Sequence, residues 1–194
     1  MGKIISKIKR IFGLHKSPEV FLYAGDIESV PVQKDFITRK SIRIVERESI
    51  RNFVEQHKDL LVGRVLDFGA GEEPYRGLVT GEYVPYEKGE EFPEGAFHTV
   101  LVNQVAQYLG NPHEVFSKLA TVGEYLVMTY PTNWEEVEDT DLYRYTKAGM
   151  EQMLKEAGYE ILSHEKRCSL TFINFELVIG YGVVARSVSL SSKK

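Results

Sequence analysis

Only one cysteine occurs in the 194 residues, Cys168, so no disulfide can form within the chain. A fold without covalent staples must rest on buried apolar surface, and this length suffices for one domain with a sizeable core. The lone thiol reads as a small residue in or near a strand rather than as a reactive nucleophile. Positive charge is not in excess: 24 Lys and Arg stand against 28 Asp and Glu, a net charge of −4. That balance gives no general attraction to a polyanion, and a nucleic-acid partner is disfavoured. No apolar run approaches the roughly 18 residues a membrane span needs. Lysines interrupt the stretch from Met1 to Leu14, and no apolar h-region precedes a small-residue cleavage site, so it does not read as a secretory signal. A cytoplasmic setting fits these absences, and no metal site is expected.

What is present begins with an arm. Ile4, Ile5, Ile8, Ile11 and Phe12 fall on one side of a helical period, while Lys3, Lys7, Lys9 and Arg10 occupy the rest. Such a basic amphipathic arm suits peripheral contact with an anionic membrane surface, packing on its own domain, or self-association. Residues 17–34 read as irregular, punctuated by Pro18, Gly25 and Pro31. The parse is therefore an arm with an irregular segment over 1–34 and one domain over 35–190.

A long helix is expected from about Asp35 to His57. Ile37, Ile44, Val45, Ile50, Phe53 and Val54 form its apolar side, and Arg39, Lys40, Arg43, Arg47 and Arg51 a basic one. The basic side reads as a solvated face partly paired with Glu46, Glu48 and Glu55, or as a patch for a substrate phosphate. Strands and helices then alternate. Arg64–Gly69, Glu82–Glu87, Thr99–Asn103 and Glu124–Tyr130 read as strands, with Pro85 marking a less regular or edge position. Pro112–Ala120 reads as a helix capped by Asn111, and Thr146–Ala157 as one closed by Gly158. The runs 159–166 and 170–187 have no helix between them and predict a terminal antiparallel hairpin. The fold class is α/β: a Rossmann-like, mostly parallel sheet with helices on both faces.

The chemistry concentrates in Val65-Leu66-Asp67-Phe68-Gly69-Ala70-Gly71-Glu72-Glu73-Pro74-Tyr75. A strand ending in Gly-x-Gly lets the backbone turn tightly and approach a ligand at the carboxyl end of the sheet. The third glycine of the dinucleotide fingerprint is replaced by Pro74, and Asp67 precedes the first glycine by two residues. A carboxylate there repels a pyrophosphate but attracts an ammonium or a sulfonium. S-adenosyl-L-methionine carries both cations and no phosphate.

At this point the sequence resembles the class I S-adenosylmethionine-dependent methyltransferases, over roughly Val62 to Ser163. Val65–Gly71 matches the family's first motif, and Pro74-Tyr75-Arg76 recurs in a subgroup with a short first helix. The resemblance implies that Asp67, Gly69, Ala70, Gly71, Pro74 and Tyr75 line the cofactor site. It implies that Glu87, 16 residues after Gly71, holds the ribose hydroxyls. It also implies that Asn103 and Gln104, after the family's fourth strand, line the pocket. Glu124–Pro131 matches the fifth strand, and Asp141–Thr146 resembles the late segment of a subgroup that modifies glycans or small molecules.

The sequence also departs from the pattern. Only ten residues separate Glu87 from His98, where the family fits a helix and a third strand with an acid for the adenine amino group. Glu90 or Glu91 substitutes for that acid, or adenine is held by apolar contact. Candidate catalytic residues are Asp141, Tyr143 and Arg144, on the loop after Pro131 that also carries Trp134, Glu135, Glu136, Glu138 and Asp139. Asp141 and Arg144 can equally pair with each other. The histidines lie at the wrong end of a strand or away from the motif loops. The resulting expectation is methyl transfer to oxygen or nitrogen of a small-molecule or glycan acceptor. The competing reading is a methyltransferase fold without catalysis that serves binding or assembly. A nicotinamide-dependent oxidoreductase and a nucleic-acid methyltransferase are weaker rivals.

Overall fold

In chain order the elements are strands β1 (Val20–Ala24) and β2 (Ile27–Val32), helix α1 (Arg39–Gln56), strands β3 (Val62–Phe68), β4 (Thr80–Tyr86) and β5 (Phe97–Asn103), helix α2 (Pro112–Val122), strand β6 (Gly123–Pro131), helix α3 (Lys147–Glu156), and the long hairpin β7 (Tyr159–Phe172) and β8 (Phe175–Ser187). They come from a computed structural model that describes residues 20–24, 27–32, 39–136, 139–172 and 175–191. The amphipathic pattern at residues 3–12 lies outside the described residues.

One eight-stranded sheet runs in the order β2-β1-β7-β8-β6-β5-β3-β4. The strands β4, β3, β5 and β6 are parallel and in register, so Leu66 stands opposite both Val84 and Val100. The remaining pairings, β6 with β8, β7 with β8, β1 with β7 and β1 with β2, are antiparallel. The sheet is thus the expected α/β sheet with its terminal antiparallel hairpin. The expectation of an irregular 17–34 segment is corrected. Residues 20–24 and 27–32 extend the sheet beyond β7 as a second hairpin, because that long strand offers an unpaired edge.

The alternation of each strand sorts its side chains between two helical layers. Leu66, Val100, Val102, Leu126 and Met128 face α2 and α3, where Phe116, Leu119, Met150 and Leu154 complete the larger core. Val65, Leu101, Val127 and Val184 face the other way, against Phe53 and Val54 of α1. Gly182 of β8 lies under the Phe53 ring, and a Cβ there would fall 2.4 Å from it. Both helix starts are as expected: Asn111 Oδ1 accepts from Glu114 N, and Thr146 Oγ1 from Gly149 N. Ile44, assigned to the apolar side of α1, is instead 53% exposed, and Glu46, assigned to the solvated face, is buried.

Candidate functional site

The carboxyl end of β3 delivers the glycine turn. Gly69 N donates to Tyr86 O at 2.8 Å, which ties the turn to the end of β4. Gly69 has φ +82°, and a Cβ on it would lie 2.5 Å from Val105 Cγ2. Gly71 has φ +53°, with nothing within 4 Å of where its Cβ would be. The first glycine therefore serves close packing, while the second leaves space open above the turn. Glu87, just past β4, accepts from Gly71 N through Oε1 at 2.5 Å, and among the described residues its exposed carboxylate keeps Oε2 without a hydrogen bond. Glu90 Oε2 accepts from Glu87 N at 2.8 Å, which ties this acid to the backbone beside the turn.

Asp67 sits beneath the turn. The residue is 1% exposed, and Oδ2 accepts from the Tyr83 hydroxyl at 2.5 Å. Burial pushes its carboxyl up to about 6; the Tyr83 hydrogen bond opposes the rise, and the charges of Glu87 and Glu73 add to it. As placed, Glu87 rather than Asp67 offers a carboxylate to anything lying on the turn. Ala70 is buried, Pro74 is exposed, and the Tyr75 ring packs into the α1-side cluster. Arg76 pairs with Glu73 at 2.5 Å and lies over the Tyr83 ring, 4.6 Å from its centroid. The acids around the turn are thus partly balanced, and among the described residues no cluster of basic side chains awaits a phosphate there.

The end of β5 brings the next expected residues alongside. Asn103 Oδ1 accepts from Thr129 Oγ1 at 3.1 Å, while its buried Nδ2 has no hydrogen-bond partner among the described residues. Gln104 has φ +57°, a left-handed conformation that a non-glycine residue rarely adopts. The bond from Gln104 N to Thr129 O, 2.9 Å, holds it there. Since Val105 packs on Gly69, the segment at Gln104 and the glycine turn are neighbours.

The loop after β6 is stapled by Arg144. Its guanidinium engages both oxygens of Asp141 and donates to Tyr143 O at 2.9 Å and Glu135 O at 3.0 Å. Of the two readings left open for this pair, the structure realises mutual pairing: the Asp141 side chain is 1% exposed. Tyr143 stacks on Tyr145 with ring centroids 5.7 Å apart. Glu138 lies outside the described residues. The loop meets α1, where Arg43 pairs with Glu135 at 2.7 Å. Arg43, Arg47, Gln104, Gln107, Tyr108, Trp134 and the Asp141–Arg144 pair are among the residues lining a cavity of about 230 Å³.

Sequence reasoning missed the floor of that cavity. Glu46 accepts from Arg167 Nη2 at 3.0 Å, and Arg167 Nη1 also reaches Glu46 O and Ser49 Oγ, all in the interior. A Cβ at Gly180 would lie 2.3 Å from Arg167 Nη2, so that glycine makes room for the pair. No local pattern announces a buried arginine in a strand; only the missing Cβ opposite hints at it. Cys168 is buried, and its thiol is pushed up to about 11 by burial, as a non-reactive residue should be. His98 opens β5 at its amino end, and His164 is held between Tyr130 and Glu151, so neither faces the turn. Among the described residues, no group of acids, histidines and cysteines could hold a metal ion, and no helix is long and apolar enough to cross a membrane.

Comparison with solved structures places this architecture. The chain superposes on magnesium protoporphyrin IX methyltransferase from Synechocystis with bound S-adenosylhomocysteine, with a TM-score of 0.55, 13% identity, and coverage of 95% of this chain and 94% of that one. The same enzyme with S-adenosylmethionine gives 0.53 and 14% identity over 81% and 86% of the two chains. An S-adenosylmethionine-dependent methyltransferase from Mesorhizobium loti gives 0.52 and 11% identity over 73% and 97%. No protein-family model and no curated protein sequence matches. The chain therefore has the class I methyltransferase fold, a conclusion that at these identities concerns the fold.

Proposed function

We propose that this chain is an S-adenosylmethionine-dependent methyltransferase acting on a small-molecule or glycan acceptor. The observation that carries the reading is the junction of β3, β4 and β5 at their carboxyl ends. There the open turn at Gly71 meets the exposed acid Glu87, next to the left-handed Gln104. The residues fit the group. Glu87 would hold the ribose hydroxyls, the backbone at Gly69–Gly71 would let the nucleoside lie close, and Asn103 offers a buried donor that lacks a partner. Asp67 would support the turn from below and set its negative potential. When bound, the cofactor supplies an electrophilic methyl group on a sulfonium. The protein's contribution is alignment of an acceptor against it and exclusion of water.

Isothermal titration with S-adenosylhomocysteine tests this. Micromolar binding to the full chain, weakened at least tenfold in Glu87→Gln, is expected. No binding at millimolar ligand overturns it. A second reading, a binding or assembly module without catalysis, is favoured by one observation. Among the described residues the sheet ends at β4, and Glu90 Oε2 is engaged by Glu87 N. Such a module would bind the nucleoside weakly or not at all, so the same titration separates the two.

A further inference from the structure

We infer that the methyl acceptor is the carboxylate of a small apolar acid, bound in the arginine-lined cavity between α1 and the ends of β5 and β6; this rests on the methyl-transfer reading above. Charge is the first observation. Three guanidiniums, of Arg43, Arg47 and Arg144, line the cavity against two carboxylates, of Glu46 and Asp141. Asp141 is committed to Arg144, Glu46 to the buried Arg167, and Arg43 reaches Glu135. Arg47, exposed on α1, makes no ion pair among the described residues. One planar fork of donors is left uncompensated at a cavity wall, and a carboxylate is the anion that matches it bidentately.

The second observation is that, among the described residues lining the cavity, no histidine and no carboxylate free of a guanidinium is present to act as a base. A hydroxyl or ammonium acceptor must lose a proton to a nearby group. His98 lies at the amino end of β5, and His164 is buried against Tyr130 and Glu151. Each carboxylate at the cavity already holds a guanidinium. A carboxylate acceptor needs no base, because it is already anionic at neutral pH.

Place and shape agree. Gln104 is part of the cavity wall, and the next residue packs on Gly69, so an acceptor here lies beside the glycine turn. Trp134 is shared with an adjoining cavity of about 590 Å³, whose walls include Ile42, Leu170, Leu177 and Ile179. The polar cavity and an apolar one large enough for an alkyl or aryl body thus adjoin at Trp134. In the transfer, a carboxylate oxygen lone pair forms the new O–C bond to the methyl carbon as the C–S bond breaks. The bond pair returns to sulfur as a neutral thioether. One negative and one positive charge disappear together, no proton moves, and the product is a methyl ester.

The chain contains a single tryptophan, so Trp134 emission reports on this site alone. Octanoate, 1-octanol and octylamine are titrated against the full chain and against Arg47→Gln, an exposed position whose folding is verified by circular dichroism. Saturable octanoate binding, at least tenfold tighter than that of the alcohol or the amine and at least tenfold weaker in R47Q, supports the proposal. Equal binding of octanoate and octanol, preference for octylamine, or no effect of R47Q overturns it. In a second arm, a mixture of six- to twelve-carbon alkanoic and arylalkanoic acids is incubated with methyl-labelled S-adenosylmethionine. Label released by mild alkali supports an ester; no label, or alkali-stable label, overturns it. Loss of S-adenosylhomocysteine binding with octanoate binding intact would instead remove the methyl-transfer reading itself.

Discussion

Replacing Asp67 with asparagine tests the electrostatics beneath the glycine turn most directly. The carboxyl is 1% exposed, and its ordinary value of 3.8 rises to about 6, chiefly because burial disfavours the charged form. Between those two values the folded chain keeps a proton that the unfolded chain has released. Stability attributable to this group therefore falls as pH rises from about 4 to 6, and stays lowered above that. The rise corresponds to about 3 kcal/mol, taken as an upper bound because coupling to Glu87 and Glu73 contributes. Asparagine keeps an oxygen for the Tyr83 hydroxyl and carries no charge. Asp67→Asn should thus be more stable than the parent at pH 8 by up to ~3 kcal/mol, or roughly 6–12 °C in Tm for a chain of this size. The advantage should shrink toward zero near pH 4. Urea unfolding of both proteins, followed by far-ultraviolet circular dichroism from pH 4 to 8, measures the difference at each pH and cancels every other titrating group. A variant no more stable than the parent at pH 8, or a gap independent of pH, would refute the reasoning.

The two glycines of the turn should separate in the same assay. Gly69→Ala meets both a left-handed backbone and Val105, and should cost about 2–4 kcal/mol. Gly71→Ala meets only the backbone term, about 1–2 kcal/mol, yet should weaken S-adenosylhomocysteine binding in calorimetry, since its methyl occupies the open space above the turn. Glu46→Ala should cost about 3–5 kcal/mol in urea unfolding by leaving the Arg167 guanidinium buried without its partner, and Glu46→Ala with Arg167→Met should recover part of that. His164 is held below its usual range, first by burial, with the Glu151 hydrogen bond opposing. Its contribution to stability is present above about 6.5 and lost as pH falls, so His164→Gln should flatten the acid side of a Tm-against-pH curve.

Much of the framework is legible in the residues. Short apolar runs ending in glycine or proline read as strands, and Asn111 and Thr146 announce their helices because side-chain caps are local chemistry. The glycine turn is legible in Gly69-x-Gly71 at the end of a strand, whereas Glu87 is found through the resemblance to the methyltransferase motifs. The first hairpin is not legible: Gly25 and Pro31 punctuate it as they would a loop, and its pairing partner, β7, lies well over a hundred residues away. Periodicity also misassigns Glu46. A helix touching both the sheet and the loop after β6 buries two faces, and the second is revealed only by its long-range partner Arg167. The same applies to Asp141 and Arg144. Spacing of three residues allows either a pair or two separate functional groups, and only the fold decides between them.

Ending the sheet at β4 leaves a strand whose outer margin could recruit another polypeptide. Thr80 N bonds to Leu61 O and Tyr86 O receives Gly69 N, so the backbone groups of Gly81, Tyr83 and Pro85 turn outward. A proline there has no N–H to give, and Gly81, at φ +133°, departs from strand geometry. Two of the three outward positions are therefore poor templates for an incoming strand. With no described strand beyond it, β4 presents a border whose residue choice disfavours pairing with another chain.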